Sequence, residues 1–115
     1  MSANILVVED EWLIASDIAS TLRGANLHVV GPCASVKDAC FHIRQEALTA
    51  AILDIELNGE TSLPVAEKLH EKNIPFLFLS GHNIDKLPPK LRQYQLVSKP
   101  VEQTTLLTLV RELCS

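Results

Sequence analysis

The chain has 115 residues, an apolar share of 47%, and ten Lys and Arg against fourteen Asp and Glu, for a formal net charge of -4. That length fits one domain spanning 1–115 with a core of its own, and the mild acidity disfavours non-specific binding to nucleic acid or to an anionic membrane. No apolar run approaches the ~18 residues of a membrane span, no signal peptide precedes the first strand, and Cys33, Cys40 and Cys114 lack CxxC spacing and read as small hydrophobes in a reducing compartment, so a cytoplasmic protein is expected.

Ile5-Leu6-Val7-Val8 is an all-apolar run, expected as a strand buried on both faces, and it ends on Glu9, Asp10 and Glu11. A helical pattern follows, with Leu13/Ile14, Ile18, Leu22 and Ala25 at steps of three and four residues. Asp10 or Glu11 serves its start, and Gly24 stands near its end. Residues 27–30 read as a shorter second strand closed by Gly31-Pro32. Ser35 then opens a helix as N-cap, with Asp38 three residues on and Val36, Ala39/Cys40, Ile43 and Ala47 as its buried stripe.

Residues 50–54 form a third strand that stops abruptly on Asp54, followed by a loop through Asn58-Gly59. Pro64 fits the first turn of a helix running to about Lys72, with Val65, Ala66 and Leu69 inward, and Asn73-Ile74-Pro75 ends it. Residues 76–79 are a fourth strand closing on Ser80-Gly81. Between 83 and 93, Pro88-Pro89 exclude a helix interior, so any helix there is short or displaced towards 90–93. Residues 95–98 are the fifth strand, ending at Lys99-Pro100. The last helix covers about 102–113, with Leu106, Leu109/Val110 and Leu113 as its stripe. Strands alternating with helices predict an α/β fold with a doubly wound parallel sheet.

In such a sheet all the strands' carboxyl ends share one edge, and ligands bind there. The groups expected at that edge are Glu9 and Asp10, Asp54, Ser80 and Lys99. Two unit charges ~4 Å apart interact by roughly 4 kcal/mol at an effective dielectric near 20, so clustered carboxylates stay ionised only with a cation among them. All-oxygen ligation favours Mg²⁺ or a similar hard ion. Such a site draws in a phosphate group, whose oxygens the metal and Lys99 neutralise. A carboxylate held in line with phosphorus then forms an acyl phosphate. Ser80 offers a hydroxyl to a phosphoryl oxygen, and Gly81 leaves room for the group to enter. Taken singly, each of these residues is as well explained by a turn, a cap or a strand exit; their joint arrival at four strand ends carries the argument.

The segments Ile5-Leu6-Val7-Val8-Glu9-Asp10-Glu11, Ile52-Leu53-Asp54, Leu79-Ser80-Gly81 and Val97-Ser98-Lys99-Pro100, at their joint spacing, resemble the receiver domain of two-component response regulators, the CheY-like family. The resemblance covers residues 4–114. It implies a five-stranded flavodoxin/CheY-like sheet in the order 2-1-3-4-5 with helices on both faces. It also implies Asp54 as phosphoacceptor and Glu9 and Asp10 as the acid pair. Asp10 and Asp54 would bind Mg²⁺ directly, Glu9 mainly through water, and the backbone carbonyl of Glu56 would be a further ligand. Ser80 is then the switch hydroxyl, Lys99 the phosphate-contacting lysine, and Lys99-Pro100 a cis bond.

The implied donor is a histidine kinase or histidine phosphotransfer protein, and the implied output is switched protein–protein binding, as a monomer or a phosphorylation-dependent dimer. No enzyme with a separate substrate is implied, and no DNA-binding output domain is expected in this chain. A receiver excised from a larger regulator fits equally. Two other readings are a phosphohydrolase built on Asp54-Ile55-Glu56, which lacks a cap domain, and a pseudo-receiver that binds partners without phosphorylation.

The sequence departs from the family's pattern at three places. Leu96 stands where an aromatic residue usually precedes the lysine by three, and Tyr94 lies two residues earlier on the same strand face. Pro88-Pro89 interrupt the fourth helix, which usually contributes to the output surface. Glu56 and His82 are expected to flank the phosphoryl group and tune its lifetime by blocking or orienting the attacking water, the alternative being two solvated loop side chains. Residues 75–81 are similar to single-domain receivers with a Phe-Ala-Thr-Gly motif, but differ at Leu79 and Ser80. Trp12 either caps the first helix near the metal or lies on the surface. His28, His42 and His70 show no ligand spacing.

Overall fold

The computed structural model describes residues 3–81, 89 and 93–115. His82 lies outside the described residues, as do most of those on which the expectation for 83–93 rests. The chain runs β1 (Asn4–Val8), α1 (Trp12–Gly24), β2 (His28–Cys33), α2 (Val36–Gln45), β3 (Ala50–Asp54), β4 (Glu56–Leu57), β5 (Glu60–Thr61), α3 (Leu63–Glu71), β6 (Phe76–Ser80), β7 (Leu96–Ser98) and α4 (Gln103–Cys114). The main sheet has the order β2-β1-β3-β6-β7, every pairing parallel, which is 2-1-3-4-5 when only its five strands are counted. Among the described residues no helix is long and apolar enough to cross a membrane.

The uninterrupted apolar runs are explained by helices on both faces. Side chains alternate across a strand, so Ile5, Val7, Ile52, Leu77 and Leu79 pack with Ile18 and Leu22 of α1 and Leu106 and Val110 of α4. Leu6, Val8, Leu53 and Phe78 pack on the other side with Ile43 of α2 and Val65 and Leu69 of α3. A strand with helices on each side has no solvent face and so shows no polar alternation.

Two expectations are sharpened and two, the end of β2 and the reach of α2, are corrected. Of the pair Leu13/Ile14, Ile14 packs on the core while Leu13 is 68% exposed; α1 buries Ile18 and Leu22 as expected, together with Ala15 and Ala19. Two residues before Ala15, Leu13 is turned roughly 200° round the helix from that stripe. Second, β2 does not stop at Gly31-Pro32 but continues to Cys33, its pairing with β1 shifting between Leu6 and Val8. An edge strand tolerates Pro because its outward N–H needs no partner. Gly31, at φ +93, also leaves no room for a Cβ, which would lie 2.7 Å from the Cys33 nitrogen. Third, α2 ends at Gln45, so Ala47 falls beyond its stripe and is exposed. Fourth, the Asn58-Gly59 loop is a two-residue hairpin joining β4 to β5, with φ of 46 and 85 at its centre. Two successive positive φ values are what a type I′ turn requires, and Asn-Gly supplies them.

Ser35 caps α2 as expected, its Oγ accepting the Asp38 N–H at 3.1 Å. Cys33 and Cys40 are buried free thiols and Cys114 is half-buried. At the edge where the strands begin, the Ala3 carbonyl accepts the His28 N–H, and Ser115 lies in a shallow groove with Pro75 and Phe76.

Candidate functional site

The parallel order fixes which residues meet where the strands end. Glu9 and Asp10 follow β1, Asp54 is the last residue of β3 beside it, Ser80 is the last of β6, and Lys99 follows β7. Backbone bonds continue past the strands and hold these exits in place. Glu9 N–H donates to Cys33 O (2.9 Å), Ile55 N–H to Leu79 O (3.2 Å) and Lys99 N–H to Ser80 O (2.8 Å).

Glu9 (3% exposed), Asp54 (7%) and Ser80 (2%) are all buried polar side chains. Lys99 Nζ lies 2.7 Å from Glu9 Oε1 and 3.3 Å from Asp54 Oδ2. Among the described residues, one ammonium thus serves two buried carboxylates. Burial pushes the Glu9 carboxyl up, and the neighbouring Asp54 adds to this. The Lys99 hydrogen bond opposes both, leaving the pKa at about 7. Burial by itself would lower the Lys99 pKa, but the hydrogen bond to Glu9 and the charges of Asp54 and Glu9 outweigh it and hold the pKa above its ordinary value.

Asp10 does not cap α1. Its Oδ2 accepts the Asn58 N–H at 2.9 Å, while Glu9 Oε2 accepts the Glu11 N–H at 3.3 Å. A carboxylate oxygen from each of Glu9, Asp10 and Asp54 lies within 4.8 Å of the others. Glu9 Oε1 is buried, and Lys99 Nζ at 2.7 Å is its partner. Three converging carboxylates form an all-oxygen donor set that fits a hard divalent cation.

An open cleft of about 280 Å³ lies over this cluster, lined by Asp10, Asp54, Glu56, Ser80, Gly81 and Lys99 among others. A Cβ at Gly81 would meet nothing within 4 Å, so the cleft is open there. Glu56 is exposed on the cleft wall. The Lys99-Pro100 bond is cis, and Pro100 is exposed.

Leu96 is half-buried against the α2/α3 side of the core. Tyr94 does not reach along the strand towards Ser80. Its ring packs at the opposite end, with centroids 5.0 Å from Phe76, 5.8 Å from Phe78 and 6.4 Å from His70. Ser80 pairs with Ser98, four residues from Tyr94, or about 13 Å along an extended strand. Trp12 is 73% exposed, so it forms a surface feature at the start of α1. The residue that sequence reasoning missed is Asn58, whose backbone N–H orients Asp10. The Asn-Gly pair was the available signal, because it favours the hairpin that turns this N–H inward.

Residues 5–111 match the family described as the response regulator receiver domain. The chain is 33% identical over 90 residues to the regulatory protein VanR of Enterococcus faecium, an alignment covering 76% of this chain; it spans 38% of that relative's length. The solution structure of the BeF3-activated conformation of SdrG from Pseudomonas melonis Fr1 superposes with a TM-score of 0.83 at 35% identity, covering 100% of both chains. A CheY-like receiver domain protein from Methanospirillum hungatei JF-1 shares the fold at a TM-score of 0.85 and 20% identity, covering 97% of this chain and 93% of the other.

Proposed function

This chain belongs to the response regulator receiver family, and on that premise we propose that it is a switch thrown by phosphorylation of Asp54. The observation that carries the reading is the single lysine shared by Glu9 and Asp54 at the edge where Asp10 and Ser80 also converge. The donor is a histidine kinase or histidine phosphotransfer protein. A carboxylate oxygen of Asp54 forms a bond to phosphorus as the donor's P–N bond breaks, and the departing imidazole nitrogen takes up a proton.

Glu9, Asp10, Asp54 and the backbone carbonyl of Glu56 are the groups that would hold Mg²⁺, which supplies positive charge to the phosphoryl oxygens during transfer. The chain's own residues do the rest. The Asn58 N–H keeps Asp10 turned into the cleft, and burial keeps Asp54 in a fixed rotamer at the end of a central strand. Lys99 pairs with a phosphoryl oxygen, and the Ser80 hydroxyl donates to another. Because Lys99 N–H is bonded to Ser80 O, an inward shift of either residue draws the end of β6 and the start of the connection to α4 together. That movement would alter a protein-binding surface, as a monomer or through a phosphorylation-dependent dimer.

Intact mass after incubation with Mg²⁺ and acetyl phosphate tests this directly. A single phosphoryl adduct is expected on the wild type and none on Asp54→Asn or without Mg²⁺. Failure to form any adduct, with no accompanying hydrolysis of acetyl phosphate, would leave a partner-binding domain without switch chemistry.

A further inference from the structure

A second group of ligating side chains lies away from the cleft, where β2 hands the chain to α2. Cys33 closes β2 with its side chain fully buried, and its carbonyl is anchored to Glu9 N–H. The Ser35 cap starts α2 and sets Asp38 in the first turn, one turn before His42. The sulfur of Cys33, a carboxylate oxygen of Asp38 and a ring nitrogen of His42 lie within 4.8 Å of one another. The imidazole is held from both sides. Its Nδ1 is 2.6 Å from Glu46 Oε2, one turn further along α2, and its Nε2 faces Asp38 Oδ1 at 4.0 Å.

A carboxylate on one ring nitrogen is the arrangement that fixes a ligating histidine: with the proton kept on Nδ1 by Glu46, the Nε2 lone pair points to the Asp38 side. Without the thiol, the pair of contacts would be an ordinary helix-surface staple. We propose that Cys33 Sγ, one carboxylate oxygen of Asp38 and His42 Nε2 form a binding site for a borderline-soft divalent cation of the Zn²⁺ class, with Glu46 as the positioning residue for His42 and water as the fourth ligand. Sulfur and imidazole donors select this class over the hard cation that suits the all-oxygen cleft.

Bonds of about 2.3 Å to sulfur and 2.0–2.1 Å to nitrogen and oxygen place tetrahedral ligand atoms roughly 3.3–3.7 Å apart, so separations of up to 4.8 Å close by at most about 1.5 Å on binding. The Asp38 and His42 side chains, 54% and 27% exposed, are free to make that adjustment and give the ion its route in. Without a cation the thiol stays protonated, since burial, then the charge of Asp38 and its hydrogen bond, push it up to about 12. Binding therefore breaks the S–H bond, forms a metal–sulfur bond and releases one proton to solvent.

The test is a titration of the chain with Co²⁺ in excess Mg²⁺, following the near-ultraviolet thiolate-to-cobalt charge-transfer absorption. Carboxylate ligation in the cleft gives no such band. One equivalent is expected to saturate it, and Zn²⁺ to bleach it. Cys33→Ser should abolish the band, while Cys40→Ser and Cys114→Ser leave it intact. His42→Gln and Glu46→Gln should each weaken binding about tenfold or more. Absence of the band in the wild type, its survival in Cys33→Ser, or unchanged affinity in His42→Gln overturns the site. Should the buried Cys33→Ser variant fail to fold, His42→Gln, altered at a partly exposed side chain, decides the matter by itself.

Discussion

All five residues of β3 are buried between helix layers and the strand ends on a carboxylate, whereas β7 has three residues, none of them buried, and is followed by an ammonium. β3 is hydrogen-bonded on both sides, to β1 and β6; among the described residues β7 pairs with β6 alone. A group at the end of β3 is held by two ladders and two layers of packing. One at the end of β7 rides on an edge that costs less free energy to displace. In the proposed switch the acceptor belongs on the first kind of support and the group that responds to it on the second. Lys99, paired to both Glu9 and Asp54, joins the two.

The comparison is broken most completely at Asp54 itself: Asp54→Asn should lose the whole phosphoryl adduct in intact-mass measurements while retaining the fold by circular dichroism. The two supports can then be weighed directly in urea melts. Leu53→Ala, at a fully buried β3 position, should cost about 2–5 kcal/mol, and Val97→Ala on β7 about 1 kcal/mol or less. Equal costs would mean that the edge is held as firmly as the centre.

A third prediction concerns the link between them. With the Glu9 carboxyl raised from 4.5 to about 7, the folded chain holds a proton there that the unfolded chain has lost. Stability from this group is fully present below pH 4.5 and is lost as pH rises through 7. Measured against Glu9→Gln without divalent cations, the wild type should lose on the order of 1–3 kcal/mol between pH 4.5 and 7.5. Added Mg²⁺ should reduce that loss by favouring the carboxylate. The smallest effects are expected at Glu56, on the cleft wall, and at His82. Glu56→Ala and His82→Ala should alter the dephosphorylation rate without shifting the urea midpoint, and unchanged rates would mean that neither side chain meets the attacking water.

The same contrast explains what the sequence revealed. The runs Ile5-Leu6-Val7-Val8 and Ala50-Ala51-Ile52-Leu53 announce themselves because burial on both faces removes every polar residue, and each stops on an acid where the strand leaves the core. Edge features are harder to read. Gly31-Pro32 looks like a stop because Pro ends most strands, and only its edge position allows β2 to run through it. Leu13 looks inward by hydrophobicity alone, whereas Ala15 and Ala19 fill the core face of α1. Within the cleft, the meeting of Glu9, Asp54, Ser80 and Lys99 follows from parallel topology once the strands are known. The division of labour between adjacent acids does not: Glu9 turns to Lys99 and Asp10 to Asn58 N–H, and no spacing distinguishes them. Tyr94 lies just before β7, on the same side of the sheet as Leu96, and packs at the end away from the cleft.

Ala3 and Ser115 both emerge where the strands begin, the edge opposite the cleft. A five-residue strand is about 16 Å long, so a tag, fluorophore or fused module at either end is kept a full sheet-length from Asp54. Such an attachment joins the chain at the edge opposite the cleft. It also receives nothing from Asp54 by direct touch: any message reaching it must pass through the strands and the helices packed on them.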